Sequence, residues 1–312
     1  MSMNPDTLII TDVAPRDGLQ NQQVAVPTGA KLELIRLLHA AGVPSVEATS
    51  FVSPKAVPQM ADAAALMEHV HRELPGLRAS ALVPNLKGLQ RAQAAGVREV
   101  AVVLSATETM NLKNINMGLA QATEVCEETL LAARKMGLRT RAYVAVAFDC
   151  PFEGRTAPDT VLRLAAAMHR AGADEIVIAD TIGSAAPGRV KTHFEALRQA
   201  VPVDQLAAHF HDTRGLAAAN AWAAIEAGVR RLDASVGGIG GCPFAPGAAG
   251  NAATEDLVLM AEGSGLATQI SLPGLLQAVA YAEARLGMNL GGRSIKWLRR
   301  RDAGPEAAPA RT

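Results

Sequence analysis

The chain has 312 residues, 49% of them hydrophobic but only 3% aromatic. A sizeable core built from Val, Ile, Leu and Ala is therefore available, and a disordered chain is excluded. Its 30 basic and 30 acidic residues cancel, and no basic stripe with interleaved aromatics occurs, which removes the electrostatic footprint of a nucleic-acid binder.

Short β-branched runs alternate with helical patterns along the chain. Residues 8–13 read as a first strand that runs into A-P-R-D-G-L-Q-N-Q, and a helix follows with Thr28 as its expected N-cap. Further strands are predicted at 44–50, 78–83, 99–105, 139–148, 175–179, 205–210 and 231–236. Helices are expected between them, at about 61–74, 86–95, 121–136, 159–171, 188–200, 216–227 and 251–262. Four helices end in A-G-(V/A), at 41–43, 95–97, 171–173 and 227–229, where glycine suits the left-handed position that stops a helix. Eight strand–helix units predict a (β/α)8 TIM barrel. A doubly wound sheet would want a Gly-rich phosphate turn after an early strand, and none is present. The barrel domain is placed at 1–290, including an additional C-terminal helix over 271–286, and 291–312 is expected to be a frayed tail.

Cys126, Cys150 and Cys242 are widely spaced and odd in number, which argues for a reducing compartment rather than a disulfide framework. The opening MSMNPDTLII lacks the basic and apolar regions of a signal peptide. The longest uncharged stretch, 234–254, is too interrupted by Gly and Pro to span a bilayer. The expectation is a soluble, cytoplasmic protein with no membrane contact.

In a barrel of this kind, chemistry belongs at the C-terminal ends of the strands. Arg16 and Asp17 follow the first strand, Glu47 lies late in the second, and Arg141 and Tyr143 share a face of the fifth. Asp180 closes the sixth, His209 and His211 close the seventh, and Asn251 follows the eighth. Histidines two apart on a strand leave the same face, so both imidazoles can meet one ion. With Asp17 and Asn251 they make a mixed nitrogen and oxygen set suited to Mg2+ or Mn2+, with Zn2+ left open. Arg16 is a candidate to stabilise a developing oxyanion, and an ion pair with Glu47 or Asp180 would hold it. Cys242 stands in G-G-I-G-G-C-P, a poor home for a core residue, and is a candidate acid/base; Cys126 and Cys150 read as inert. The other histidines, His39, His69, His71, His169 and His193, sit on helical patterns among charges and are expected on solvated faces.

Several motifs together resemble the 3-hydroxy-3-methylglutaryl-CoA lyase family: P-R-D-G-L-Q-N at 15–21, E-A-T-S-F-V-S-P-K at 47–55, P-N-L-K-G at 84–88, K-N-I-N at 113–116, C-P-F-E-G at 150–154, D-T-I-G at 180–183, H-F-H-D-T at 209–213 and G-G-C-P-F-A-P-G-A-A-G-N at 240–251. The cysteine motif separates these lyases from the isopropylmalate and homocitrate synthases on the same barrel. The resemblance implies retro-Claisen cleavage of a 3-hydroxy-3-methyl acyl-CoA, in the parent case to acetyl-CoA and acetoacetate, and a homodimer. It implies Asp17, His209, His211 and Asn251 as ligands of Mg2+ or Mn2+, Arg16 as the enolate-stabilising residue and Cys242 as the proton-handling group. Glu47 and Asp180 would be supporting carboxylates, and Gln20 and Ser50 would lie near substrate. Arg141 and Tyr143 also match substrate positions, and Asn114 with Lys113 is assigned to the coenzyme A side. Two departures, Arg214 after H-D-T and Val177 before D-T-I-G, raise a related substrate such as citramalyl-CoA or a longer 3-substituted hydroxyglutaryl-CoA.

Overall fold

The computed structural model describes residues 6–241 and 250–302. Its strands are β1 (Ile9–Asp12), β2 (Ser45–Ser50), β3 (Arg78–Leu82), β4 (Glu99–Ser105), β5 (Arg139–Ala145), a short antiparallel hairpin β6 (Asp149–Cys150) and β7 (Gly154–Arg155), then β8 (Glu175–Asp180), β9 (Leu206–Phe210) and β10 (Arg231–Ala234). The eight long strands are parallel and close in the order β1-β10-β9-β8-β5-β4-β3-β2. The seam is the β1–β2 pair, Thr11 opposite Ser45 and Asp12 opposite Val46. Every residue of β2, β8 and β9 is buried, as strands enclosed by helices require. The predicted (β/α)8 barrel is the fold observed.

The helices are α1 (Thr28–Ala40), α2 (Ala63–Glu73), α3 (Leu86–Ala94), α4 (Glu108–Ile115), α5 (Leu119–Lys135), α6 (Pro158–Arg170), α7 (Pro187–Leu197), α8 (Ala217–Glu226), α9 (Thr254–Gly263), α10 (Leu272–Leu286) and α11 (Ile295–Asp302). Asn85 caps α3 by accepting from the Gly88 amide at 3.1 Å, and Ser271 caps α10 through Gly274 at 3.2 Å. Gly42, Gly96, Gly172 and Gly228 of the repeated A-G motif have φ of +91°, +76°, +95° and +99°, the left-handed conformation that ends each helix. Among the described residues, no helix is long and apolar enough to cross a membrane.

Four expectations are corrected. Thr28 is the first residue of α1 rather than its cap, because its hydroxyl donates instead to Asp62 at 2.8 Å. The fifth strand stops at Ala145, since Val146 turns left-handed (φ +49°) and its amide is taken by the Thr181 hydroxyl. His193 is buried against the Phe148 ring, centroids 5.1 Å apart, and burial pulls its pKa down to about 4. The tail is docked through residue 302. The Asp256 carboxylate accepts from the amides of Arg293 (2.6 Å) and Ser294 (2.9 Å), and Ile295 and Leu298, one helical turn apart, are buried in α11.

Asp12 joins the seam to the mouth of the barrel. Its fully buried carboxylate accepts from the amides of Ala14 and Val236, each at 2.9 Å, and from the Thr254 hydroxyl at 2.7 Å. Burial pushes its pKa up to about 7, although the three hydrogen bonds oppose that shift. A carboxyl raised in the folded state stabilises fully below its unfolded pKa, and that stability is lost as pH rises toward the folded value. Urea denaturation should therefore show the wild type losing stability relative to Asp12→Asn between about pH 4 and pH 7. A difference between the two proteins that stays constant across that window would contradict this.

Candidate active site

At the end of β9 the alternation of the strand puts Ala207 in the barrel interior and His209 and His211 above it on the same side. The two imidazole centroids are 5.2 Å apart. Asp17 arrives from the other side, on a wide helical turn over Ala14–Gly18 that follows β1. One ligand atom each from Asp17, His209 and His211 lies within 4.8 Å of the others. Asn251 completes the group because residues 250–254 are laid alongside the strand exits. His211 and Asn251 form an antiparallel bridge, Ala252 N–H donates to Phe210 (2.8 Å), and Ser235 N–H donates to Ala252 (2.9 Å).

The amide of Asn251 donates to Asp17 Oδ2 at 2.8 Å and to the Ile239 carbonyl at 3.1 Å. Its Oδ1 is buried without a hydrogen-bond partner among the described residues. A buried acceptor left this way is costly unless something else meets it. A carboxylate, two imidazoles and an unsatisfied amide oxygen fit a divalent cation that accepts mixed nitrogen and oxygen donors.

Electrostatics agree. Burial works against ionising Asp17, but Arg16, His209 and His211, with the Asn251 hydrogen bond, outweigh it and hold the carboxyl below its usual range. Arg16, itself buried, donates to Asp17 Oδ1 at 2.7 Å and to Glu47 behind it. Burial disfavours its charge, and Glu47 and Asp17 more than restore it, so the guanidinium stays ionised. For Glu47 the balance goes the other way: burial raises its pKa despite Arg16 and Arg141.

An open cavity of about 160 Å³ sits over this group. Of the residues expected in the site, Arg16, Asp17, Gln20, Asn114, Tyr143, His209 and His211 line it. Glu47 is completely buried behind Arg16 and reaches the cavity only through that side chain. Arg141, Asp180, Lys113 and Ser50 do not line the cavity. Arg141 is buried below the cavity, bonded to Glu175 (2.8 Å) and Asp233 (2.6 Å), because it lies one inward step deeper on β5 than Tyr143. Asp180 faces the helices and accepts from the Ser184 and Ala185 amides at 2.9 and 3.0 Å, shaping the turn before α7. Lys113 is exposed over the Phe152 ring rather than in the cavity, and Ser50 is fully buried and does not line it. Cys242 lies outside the described residues; its neighbour Gly241 lines the cavity. Sequence reasoning missed Asn21, whose amide holds the Gly241 carbonyl at 3.2 Å, and Asp233, buried against His209. An acid between Leu232 and Ala234 in mid-strand was the available signal for Asp233.

The HMGL-like family model matches residues 7–281. The mitochondrial hydroxymethylglutaryl-CoA lyase of Bos taurus is 47% identical over 277 residues, 89% of this chain and 85% of that protein. The crystal structure of the Bacillus subtilis HMG-CoA lyase superposes with a TM-score of 0.91 at 41% identity, covering 96% of this chain and 100% of the other. An HMG-CoA lyase from Acinetobacter baumannii, solved with coenzyme A and 3-methylmalate, superposes with a TM-score of 0.90 at 39% identity over the full length of both chains. The chain belongs to the HMGL-like family and is a carbon–carbon lyase.

Proposed function

We propose that this lyase cleaves 3-hydroxy-3-methylglutaryl-CoA to acetyl-CoA and acetoacetate, with Mg2+ or Mn2+ held by Asp17, His209, His211 and Asn251. The observation that carries the reading is the convergence of Asp17, His209 and His211 beside the buried Arg16, under an open cavity. The names and the extent of the relatives support the substrate.

Cleavage removes the proton of the tertiary hydroxyl, turns C3 into a ketone and leaves the C2–C3 electron pair as a thioester enolate, which takes a proton at carbon. A divalent cation held by these residues would supply Lewis acidity that lowers the hydroxyl's pKa. Arg16 supplies a fixed positive charge where the enolate oxygen develops, already oriented by Glu47 and Asp17 and so needing no reorganisation. Tyr143 and Ala145 wall the cavity. For the returning proton the proposed donor is Cys242, supported by Gly241 at the cavity wall and by the Asn21 bond that fixes it.

A related hydroxyacyl-CoA is not favoured. Val177 is fully buried in the interior cluster beneath the cavity, and Arg214 is exposed with its guanidinium on the Ser184 carbonyl. Neither departure from the better-known lyases lines the cavity.

Purified protein with Mg2+ or Mn2+ should convert 3-hydroxy-3-methylglutaryl-CoA to acetyl-CoA and acetoacetate by product mass, chelation should stop it, and added metal should restore it. Turnover of a different hydroxyacyl-CoA alone would overturn the substrate. Arg16→Lys, which loses the guanidinium fork, should lower kcat by about 10²–10³-fold; an unchanged kcat would remove Arg16 from the chemistry. Glu47→Ala strands Arg16 against Asp17 alone and should destabilise the fold by about 3 kcal/mol in urea denaturation; a loss below about 1 kcal/mol would mean the pair is not needed to keep Arg16 buried.

A further inference from the structure

Asp233 has no part in the reaction as described above, yet it is among the most completely buried acids in the barrel. It stands beside His209 in the β10–β9 register, and its Oδ2 lies 3.3 Å from His209 Nδ1. The same oxygen accepts from the Tyr143 hydroxyl at 2.8 Å, and Oδ1 accepts from Arg141 Nη2 at 2.6 Å. Arg141 is in turn bonded through Nε to Glu175 at 2.8 Å. The carboxylate therefore cannot rotate away without abandoning buried donors on two other strands.

We propose that Asp233 is the positioning residue that holds His209 as its Nδ1–H tautomer and presents Nε2, bare, to the cation. This rests on the reading of His209 as a metal ligand. The physical case is one of donor and acceptor inventory. A neutral imidazole has one N–H and one lone pair, and whichever nitrogen faces a carboxylate carries the hydrogen. Asp233 is an acceptor only, so Nδ1 must donate, and the lone pair is left on Nε2. Outer carboxylates of this kind orient ligand histidines and raise their basicity. The Arg141 bond makes the choice rigid: it fixes which carboxylate oxygen faces which partner.

Asp233→Asn reverses that choice while keeping the shape. Arg141 demands an oxygen at the Oδ1 position, so the new amide nitrogen takes the Oδ2 position and donates toward His209 Nδ1. The hydrogen of His209 is then driven to Nε2, where it blocks coordination. In metal-free protein labelled with 15N-histidine, long-range 1H–15N spectra, taken to a pH high enough that the His209 ring is neutral, should show His209 as Nδ1–H in the wild type and Nε2–H in Asp233→Asn, the signal being assigned by its loss in His209→Gln. Mn2+ affinity measured by electron paramagnetic resonance should fall by about 10–100-fold in Asp233→Asn. Wild-type His209 found as Nε2–H overturns the proposal, and that measurement stands even if the variant does not fold. Unchanged Mn2+ affinity in a folded Asp233→Asn also overturns it. A wild type that shows Nδ1–H but binds no Mn2+ upholds the tautomer assignment and removes the metal reading instead.

Discussion

The antiparallel bridge between His211 and Asn251 is the contact on which the mouth of the barrel depends. β9 and the turn after β1 bring two imidazoles and a carboxylate together, but the fourth proposed donor, Asn251, comes from a segment that belongs to neither. Residues 250–254 reach it by occupying the space between the exits of β9 and β10, with the Asp212 amide donating to Gly250 (3.0 Å) and the Thr254 amide to Ser235 (3.2 Å). The path leaves no room for a side chain at its start, since a Cβ on Gly250 would sit 1.8 Å from the Gly238 carbonyl oxygen. Asn251 donates its two amide hydrogens to Asp17 and Ile239, and the oxygen that remains has no hydrogen-bond partner among the described residues.

Below that group the barrel is filled with charge more than with hydrocarbon. The interior apolar cluster is small: Leu82, Ala101, Tyr143, Val177 and Ala207. Around it Arg78 pairs with Glu99, Arg141 with Glu175 and Asp233, and Arg16 with Glu47 and Asp17. Each of these cations is met by an acid from an adjacent strand, and Arg141 also by Asp233 across the barrel. Well-packed apolar residues would often serve stability as well as buried ion pairs do, whereas losing one partner of a pair is costly. The arrangement makes sense as preorganisation: the groups that face developing charge are already fixed by partners that cannot move.

The barrel was legible because its punctuation is local. A strand ends, a helix begins, and A-G-(V/A) stops it, each a short-range signal. The convergence of the two histidines was legible for a similar reason, since His209 and His211 declare a shared face by their spacing alone. Depth within the barrel is not local. Arg141 and Tyr143 have the same parity, yet one faces the cavity and the other is buried beneath it, and only the stagger of the strands decides which. Asp180 misled for the opposite reason: it ends a strand as a catalytic residue would, but with parity toward the helices. α11 was hidden because Ile295 and Leu298 stand in a run of basic residues, and their docking depends on Asp256, nearly forty residues earlier.

The ends of the glycine-rich stretch that contains Cys242 are fixed by groups of the site itself. At one end the Gly241 carbonyl is held by Asn21, four residues after Asp17. At the other, Gly250 is held by the amide of Asp212, the residue after His211. The C-terminal segment adds a third constraint: Gly291 N–H donates to the Gly237 carbonyl, Glu255 accepts from the amides of both Gly237 and Gly292, and Arg293 Nε reaches Asp212 at 2.7 Å. Neither end can shift without pulling on the turn that carries Asp17 or on the strand exit that carries His211. The proposed ligand set and the proposed proton donor therefore share one mechanical frame, and the docked tail is part of it. A reaction that forms its enolate at one group and protonates it from another requires that frame, because a displacement of about 1 Å between reacting groups costs on the order of a hundredfold in rate.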